Sequence, residues 1–240
     1  MDTSAASRPD DRQTRLKQES AEHAVRYVQS GMVVGLGTGS TAIFATRRIA
    51  ELLRDGTLTN IVGFATSNVI WQEAQNLGIP LMDIAMPSKI DLTIDGADEV
   101  DPKLDVIKGG GGALFREKIV AQASDREIII VDESKLSPCL GTKHTLPVEV
   151  SSFGWQSQLR FLESLGARAT IRRNSDGTQF VTDSGNMILD CDFGPIGDPA
   201  DLAAKLGARA GIIEHGLFLD VASEVIVAGE SGVRLLKRSG

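Results

Sequence analysis

Four consecutive glycines stand directly ahead of a helical segment in Lys108-Gly109-Gly110-Gly111-Gly112-Ala113-Leu114-Phe115-Arg116-Glu117-Lys118. Ordering such a run costs conformational entropy that a purely structural loop would avoid, so its rationale is close approach of backbone to a ligand. The N–H groups of the loop and the Lys108 ammonium suit an oxyanion developing on a bound substrate. Glu117, in the first turns of the following helix, reaches the same ligand and has the chemistry of a general base. The plainer reading is that Glu117 only complements the helix dipole. Arg116 and Lys118 read as a solvated face.

Two other stretches carry a related signal. Gly35-Leu36-Gly37-Thr38-Gly39-Ser40-Thr41 joins the apolar run Met32-Val33-Val34 to a helical pattern. The dinucleotide spacing G-x-G-x-x-G fails because Ser40 takes the third glycine position, and no lysine follows as a P-loop requires. What remains is Thr38-Gly39-Ser40-Thr41, whose N–H groups and hydroxyls at a helix N-terminus suit an anion such as phosphate. The competing reading is that Ser40 or Thr41 simply caps the helix. Asp95-Gly96-Ala97-Asp98-Glu99-Val100-Asp101 follows a strand ending at Ile94, and Asp95 and Asp98 are close enough in sequence to enclose one polyol hydroxyl cluster. Acidic turns are also commonplace on surfaces, and the spacing of a calcium loop is absent. Lys135, after the apolar run Ile128 to Val131, and Lys17, ahead of the first helical face, are candidates for added positive charge; isolated lysines are otherwise solvent-exposed.

These residues need elements to hold them. Ala21, Ala24, Val25 and Val28 form one apolar face of a helix from Thr14, and Ala42 to Leu53 is a second helix. Strands are expected at Met32 to Val34, Ile61 to Ala65, Leu81 to Asp83, Ile90 to Ile94, Lys103 to Ile107 and Glu127 to Val131, with helices at Asn68 to Leu77 and Ala113 to Ala123. This alternation predicts a Rossmann-like parallel sheet covered on both faces, with ligands beyond the carboxyl ends of the strands. Near Pro147 the rhythm changes. Strands around Val148 to Val150, Ala169 to Arg172, Gln179 to Thr182, Met187 to Cys191 and Gly216 to Asp220, with helices at Gln156 to Leu165 and Pro199 to Leu206, suggest a ferredoxin-like β-α-β-β-α-β arrangement. The expected division is a loose tail over 1–13, a Rossmann-like domain over 14–145 plus 221–240, and a smaller α+β domain inserted at 146–220.

Composition excludes several classes. The 240 residues are 42% hydrophobic and 24% charged, ordinary globular usage. A net charge of −7 leaves no global footprint for nucleic acid or an anionic membrane. No apolar stretch approaches a membrane span. Cys139 and Cys191 lack C-x-x-C spacing, which fits a reduced cytoplasmic chain. His23, His144 and His215 are scattered, with no H-x-x-x-H pair, so no metal site is expected.

Taken in order and spacing, Gly37-Thr38-Gly39-Ser40-Thr41, Asp95-Gly96-Ala97-Asp98-Glu99, Lys108-Gly109-Gly110-Gly111 with Glu117, and the Lys135 segment resemble the type A ribose-5-phosphate isomerases. Leu146-Pro147-Val148-Glu149-Val150 and Val181-Thr182-Asp183-Ser184-Gly185-Asn186 extend the likeness, which runs from about Lys17 through Gly229. The resemblance implies interconversion of ribose 5-phosphate and ribulose 5-phosphate, in the non-oxidative branch of the pentose phosphate pathway, with no metal or other cofactor, by a homodimer or homotetramer. It implies Glu117 as proton acceptor and substrate contacts from Thr38 to Thr41, Asp95 to Asp98, Lys108 to Gly111 and Lys135, with Lys17 a looser correspondence. Gly112 departs from the pattern, standing where many relatives carry Ala. Two other readings are an amino-sugar-phosphate deaminase, which would use a histidine that these loops lack, and a non-enzymatic sugar-phosphate sensor, which would have no use for the base.

Overall fold

A computed structural model describes residues 9–82 and 89–238. The first helix, α1 (Pro9–Val25), begins five residues ahead of the expected Thr14. Its apolar face starts only at Leu16, so hydrophobic periodicity has no grip on the first turn. That turn is favoured by other means, Asp11 standing at the positive end of the helix dipole. Arg12 ties it down through Glu230 at 2.5 Å. The part of the expected tail over 1–8 lies outside the described residues.

The chain then alternates: β1 (Val33–Leu36), α2 (Ala42–Arg54), β2 (Val62–Ala65), α3 (Asn68–Asn76) and β3 (Leu92–Gly96). In α2 the residues Ala42, Ala45, Ile49 and Ala50 are buried, three and four apart, as one stripe facing the sheet. Leu81 makes a single parallel bridge to Gly63 where a short strand was expected, and Asp83 lies outside the described residues. A tight hairpin follows, β4 (Glu99–Val100) and β5 (Val106–Ile107), then α4 (Leu114–Gln122) and β6 (Glu127–Asp132). The expected strand from Lys103 is thus confined to two residues. Asp101 Oδ1 accepts the N–H groups of Lys103 and Asp105, which curls the chain into a turn with Leu104 at positive φ.

The smaller unit contains β7 (Leu146–Val150), α5 (Trp155–Ser164), β8 (Arg168–Ile171), β9 (Met187–Asp192), α6 (Pro199–Gly207) and β10 (Ile212–His215). Its antiparallel order β10-β7-β9-β8 is the ferredoxin-like arrangement expected from β-α-β-β-α-β. Gln179 contributes one antiparallel bridge to Arg173, so the strand expected at Gln179 to Thr182 does not form. The last strand is also displaced: β10 ends at His215, and β11 (Leu217–Phe218) leaves the small sheet to pair with β5. Gly216 is the crossing point. Its N–H reaches Pro147 O at 2.8 Å, its carbonyl accepts Lys108 N–H at 2.9 Å, and a Cβ there would collide with both neighbouring carbonyls. The chain closes with β12 (Glu224–Gly229) and β13 (Gly232–Lys237).

The main sheet has the order β13-β12-β6-β3-β1-β2, parallel throughout except for β13. β6 and β12 are buried along their whole length, as central parallel strands must be, whereas exposure varies along edge strand β13. One core joins α1, α2 and α3 to one face of this sheet; a second lies between the other face, α4 and β11. The fold is therefore α/β, with a small separate antiparallel sheet. From β1 the chain goes outward to β2 and then returns across β1 to β3. Strand order reverses between β1 and β3, where such sheets leave a crevice.

Candidate active site

The loops leaving β1 and β3 open into that crevice, and the glycine loop ahead of α4 closes it. They enclose a cavity of about 260 Å³ lined by Thr38, Gly39, Ser40, Thr41, Gly96, Ala97, Asp98, Lys108, Gly109, Gly111, Glu117 and Lys135. Segments up to 97 residues apart in sequence therefore meet at one place, and every lining residue is one singled out from the sequence. Lys17 on α1 and Gly110 in the glycine loop stand outside this lining, and Asp95 lies beneath it, 1% exposed.

At the floor, Lys108 Nζ lies 3.1 Å from Asp95 Oδ2, 3.3 Å from Glu117 Oε1 and 2.5 Å from the Gly96 carbonyl. Asp95 Oδ1 accepts the N–H groups of Thr38 at 3.0 Å and of Gly96 at 2.7 Å, tying the β1 loop to the β3 loop. This closeness requires Gly37, because a Cβ there would run into the carboxyl and Cα of Asp95. Asp95 is thus fully engaged with protein groups. Asp98, by contrast, lines the cavity, and its Oδ2 accepts Gly110 N–H at 2.7 Å.

Glu117 is 4% exposed, and its Oε2 has no hydrogen-bond partner. Burial pushes its pKa up to about 8; Lys108 opposes the rise, and Asp95 and Asp98 add to it. Burial acts the other way on Lys108, but the carboxylates of Asp95, Glu117 and Glu127 outweigh it and hold the ammonium charged. The sequence alone leaves this balance open; the structure decides it for desolvation at Glu117.

At the opposite wall, α2 presents its N-terminus. Thr41 occupies the cap position and makes no side-chain capping bond, so capping does not account for its hydroxyl. Thr38 Oγ1 instead contacts Thr66 Oγ1 at 2.7 Å and Ser67 Oγ at 2.8 Å, locking the β1 loop to the end of β2.

Comparison with known proteins agrees with this geometry. The family model of ribose 5-phosphate isomerase A (phosphoriboisomerase A) matches residues 62–232. The chain belongs to the ribose-5-phosphate isomerase A family. A relative from Desulfatibacillum aliphaticivorans, a ribose-5-phosphate isomerase A, is 56% identical over 94% of this chain and 98% of its own length. Among solved structures, the ribose 5-phosphate isomerase from Plasmodium falciparum superposes with a TM-score of 0.90 at 38% identity, over 95% of this chain and all of that one. A D-ribose-5-phosphate isomerase solved in complex with phospho-erythronic acid gives 0.91 at 38% identity, over 93% and 98%. As a member of this family the chain is an enzyme, an aldose–ketose isomerase of the pentose phosphate pathway.

Family membership does not explain every residue in the conspicuous motifs. Of the acidic run, Asp95 and Asp98 meet the cavity groups, whereas Glu99 is fully buried and accepts N–H groups from Gly141, Thr142, Lys143 and His144. Lys118 is not on a solvated face. It is 6% exposed, donating to Glu214 Oε1 at 2.7 Å and His215 O at 2.6 Å, because α4 packs against β10. Arg116 is half-buried and bonds Asn68 Oδ1 and the Asp183 carbonyl. Gly112 has φ +86° and abuts the Phe180 ring where a Cβ would stand, so the fourth glycine is a packing requirement.

Two residues near the site carry no local sequence signal. Glu127, at the start of β6, is 2% exposed with neither carboxyl oxygen hydrogen-bonded. Burial pushes its pKa well above the ordinary glutamate value, and Asp95 and Glu117 reinforce the shift against Lys108. Arg172, just past β8 in the small sheet, reaches the glycine loop and donates to the carbonyls of Gly109 and Gly110. Both follow from packing between segments distant in the chain.

Proposed function

We propose that Glu117 is the base that carries the proton between C2 and C1 of ribose 5-phosphate and ribulose 5-phosphate. Moving the carbonyl by one carbon needs a group that removes the C2 proton, holds it while an enediolate exists, and returns it to C1. The observation that carries this reading is the asymmetry of the Glu117 carboxyl on a residue that lines the cavity: one oxygen faces Lys108 at 3.3 Å and the other is buried without a hydrogen-bond partner. The charged Lys108 and the glycine-loop N–H groups stabilise the oxygen on which negative charge collects. No hydride carrier enters the balance, since both electrons of the broken C–H bond stay in the enediolate.

The remaining roles follow from position. Thr38 to Thr41 at the N-terminus of α2 hold the phosphate, with Lys135 supplying charge. Asp98, facing the cavity, binds sugar hydroxyls and accepts the C1 hydroxyl proton as the C1–ring oxygen bond breaks and that oxygen takes up a proton from water, while Asp95, already engaged by two N–H groups and an ammonium, orients Lys108. Lys17 has a place here only as added positive charge near the phosphate loop.

The division expected from the sequence is proposed in amended form: the antiparallel unit runs to His215, and the chain beyond returns to the main body. The family likeness favours a homodimer or homotetramer acting in the cytoplasm on a small sugar phosphate, without nucleic acid or membrane; a solution mass measurement tests the assembly. The catalytic assignment is tested by measuring ketose formation from ribose 5-phosphate with Glu117→Gln. Turnover near that of the unaltered enzyme would remove Glu117 from its role.

A further inference from the structure

A glycine run has no side chains to hold it, so the direction of its N–H groups must be imposed from outside. In a trans peptide the carbonyl and the following N–H point in opposite directions, and the described residues contain no cis peptide. Arg172 Nη1 donates to Gly109 O at 2.8 Å and to Gly110 O at 3.1 Å. Those two carbonyls belong to the peptides whose N–H groups are those of Gly110 and Gly111, which must therefore face away from Arg172. The Gly110 N–H does so, meeting Asp98 Oδ2 at the cavity wall. The second belongs to Gly111, which lines the cavity.

Arg172 is itself held firmly. Its Nε donates to Asp190 Oδ2 at 2.9 Å and its Nη2 pairs with Asp190 Oδ1, a two-point clamp within the small sheet. The guanidinium lies 5.8 Å from the centre of the Phe180 ring, and the side chain is 13% exposed. Phe180 also fills the space beside Gly112. A positive charge on the carbonyl end of a peptide polarises its N–H, so the clamp strengthens these donors as well as aiming them.

We propose that Arg172 is a positioning residue for the isomerase reaction, holding the Gly110 N–H on Asp98 and setting the Gly111 N–H toward the C1–C2 end of the bound sugar, where the enediolate's charge develops. The small antiparallel sheet is then part of the active site, through Asp190 and Arg172, without touching substrate. The inference rests on the glycine loop serving the developing oxyanion, and it is independent of which carboxylate moves the proton.

The test compares two ligands with the same phosphate and carbon chain: phospho-erythronic acid, whose carboxylate imitates the enediolate oxygens, and erythritol 4-phosphate, which has an alcohol there. Binding is measured by calorimetry for Arg172→Lys, Arg172→Gln and Asp190→Asn, together with kcat and KM for ribose 5-phosphate. All three variants are expected to weaken phospho-erythronic acid by about tenfold or more while changing erythritol 4-phosphate less than about threefold. In step with this, kcat falls with KM nearly unchanged. Equal weakening of both ligands, or of neither, overturns the proposal. If Arg172→Gln does not fold, Arg172→Lys and Asp190→Asn decide. Glu117→Gln separates the two readings, since it is expected to lower turnover by about 10²-fold or more without weakening phospho-erythronic acid.

Discussion

Lys108 Nζ stands 3.3 Å from Glu117 Oε1, both groups almost wholly removed from solvent. An ammonium at that distance would ordinarily hold a carboxyl ionised well below neutrality. It does not here, because Lys108 is shared with Asp95, and because a carboxylate with an unpartnered oxygen loses more in desolvation than half an ion pair returns. The outcome is a carboxyl poised near neutral pH, the condition under which a base both accepts and releases a proton readily.

Glu117→Gln is expected to fold and to lose turnover by about 10² to 10⁴-fold, the range for removing a positioned general base. The amide keeps the shape of the side chain and cannot accept the proton. Steady-state ketose formation, with circular dichroism as the check on folding, measures it.

The pH dependence follows from the same group. The base must be ionised, so kcat/KM rises with pH through an acid limb set by the free enzyme's Glu117, near the value of about 8 produced by burial. For stability the sign is opposite. The folded protein retains the proton between about pH 4.5 and 8, where the unfolded chain has released it, so stability falls as pH rises across that window. Melting temperatures of the parent and Glu117→Gln should therefore diverge with rising pH, the variant being favoured at pH 8.

Glu127 offers a test of burial without catalysis. Its carboxyl is raised by desolvation and has no hydrogen bond to compensate. Glu127→Gln is expected to raise the melting temperature more at pH 8 than at pH 5, because the stability lost above the ordinary glutamate pKa no longer accrues. A gain that is the same at both pH values would mean that Glu127 carries no shifted proton.

Lys108→Gln removes the single cation between two buried carboxyls. Breaking a buried pair this way costs about 3–5 kcal/mol, and the acid limb of any residual activity should move to higher pH, because the ammonium that opposes protonation of Glu117 is gone. Chemical denaturation and a pH–rate profile read the two effects separately.

Gly37→Ala probes the floor of the site by size alone. The added methyl would occupy the space of the Asp95 carboxyl and force the β1 and β3 loops apart. Activity and stability are both expected to drop, although alanine carries no charge and touches no substrate; unchanged activity would mean that the loops tolerate separation.

Much of this molecule was legible in the amino-acid order, because the relevant physics is local. Runs such as Glu127 to Val131, buried at every position, read as strands, and the positions of Thr38, Asp95, Lys108 and Glu117 after strands or at a helix start follow from the order of elements. What was misread depended on partners distant in sequence. Lys118 looked solvated until β10 was packed over it, the strand expected from Lys103 was curled back by Asp101, and the first turn of α1 is held by Glu230. Periodicity reports which side of an element is apolar, so motifs and elements were decided along the chain itself. Proton affinity and the aim of an amide depend on how many charges and dipoles surround a point in space. The pKa of Glu117, the unpartnered Glu127 and the grip of Arg172 on the glycine loop therefore exist only once α4, the main sheet and the small sheet are brought together.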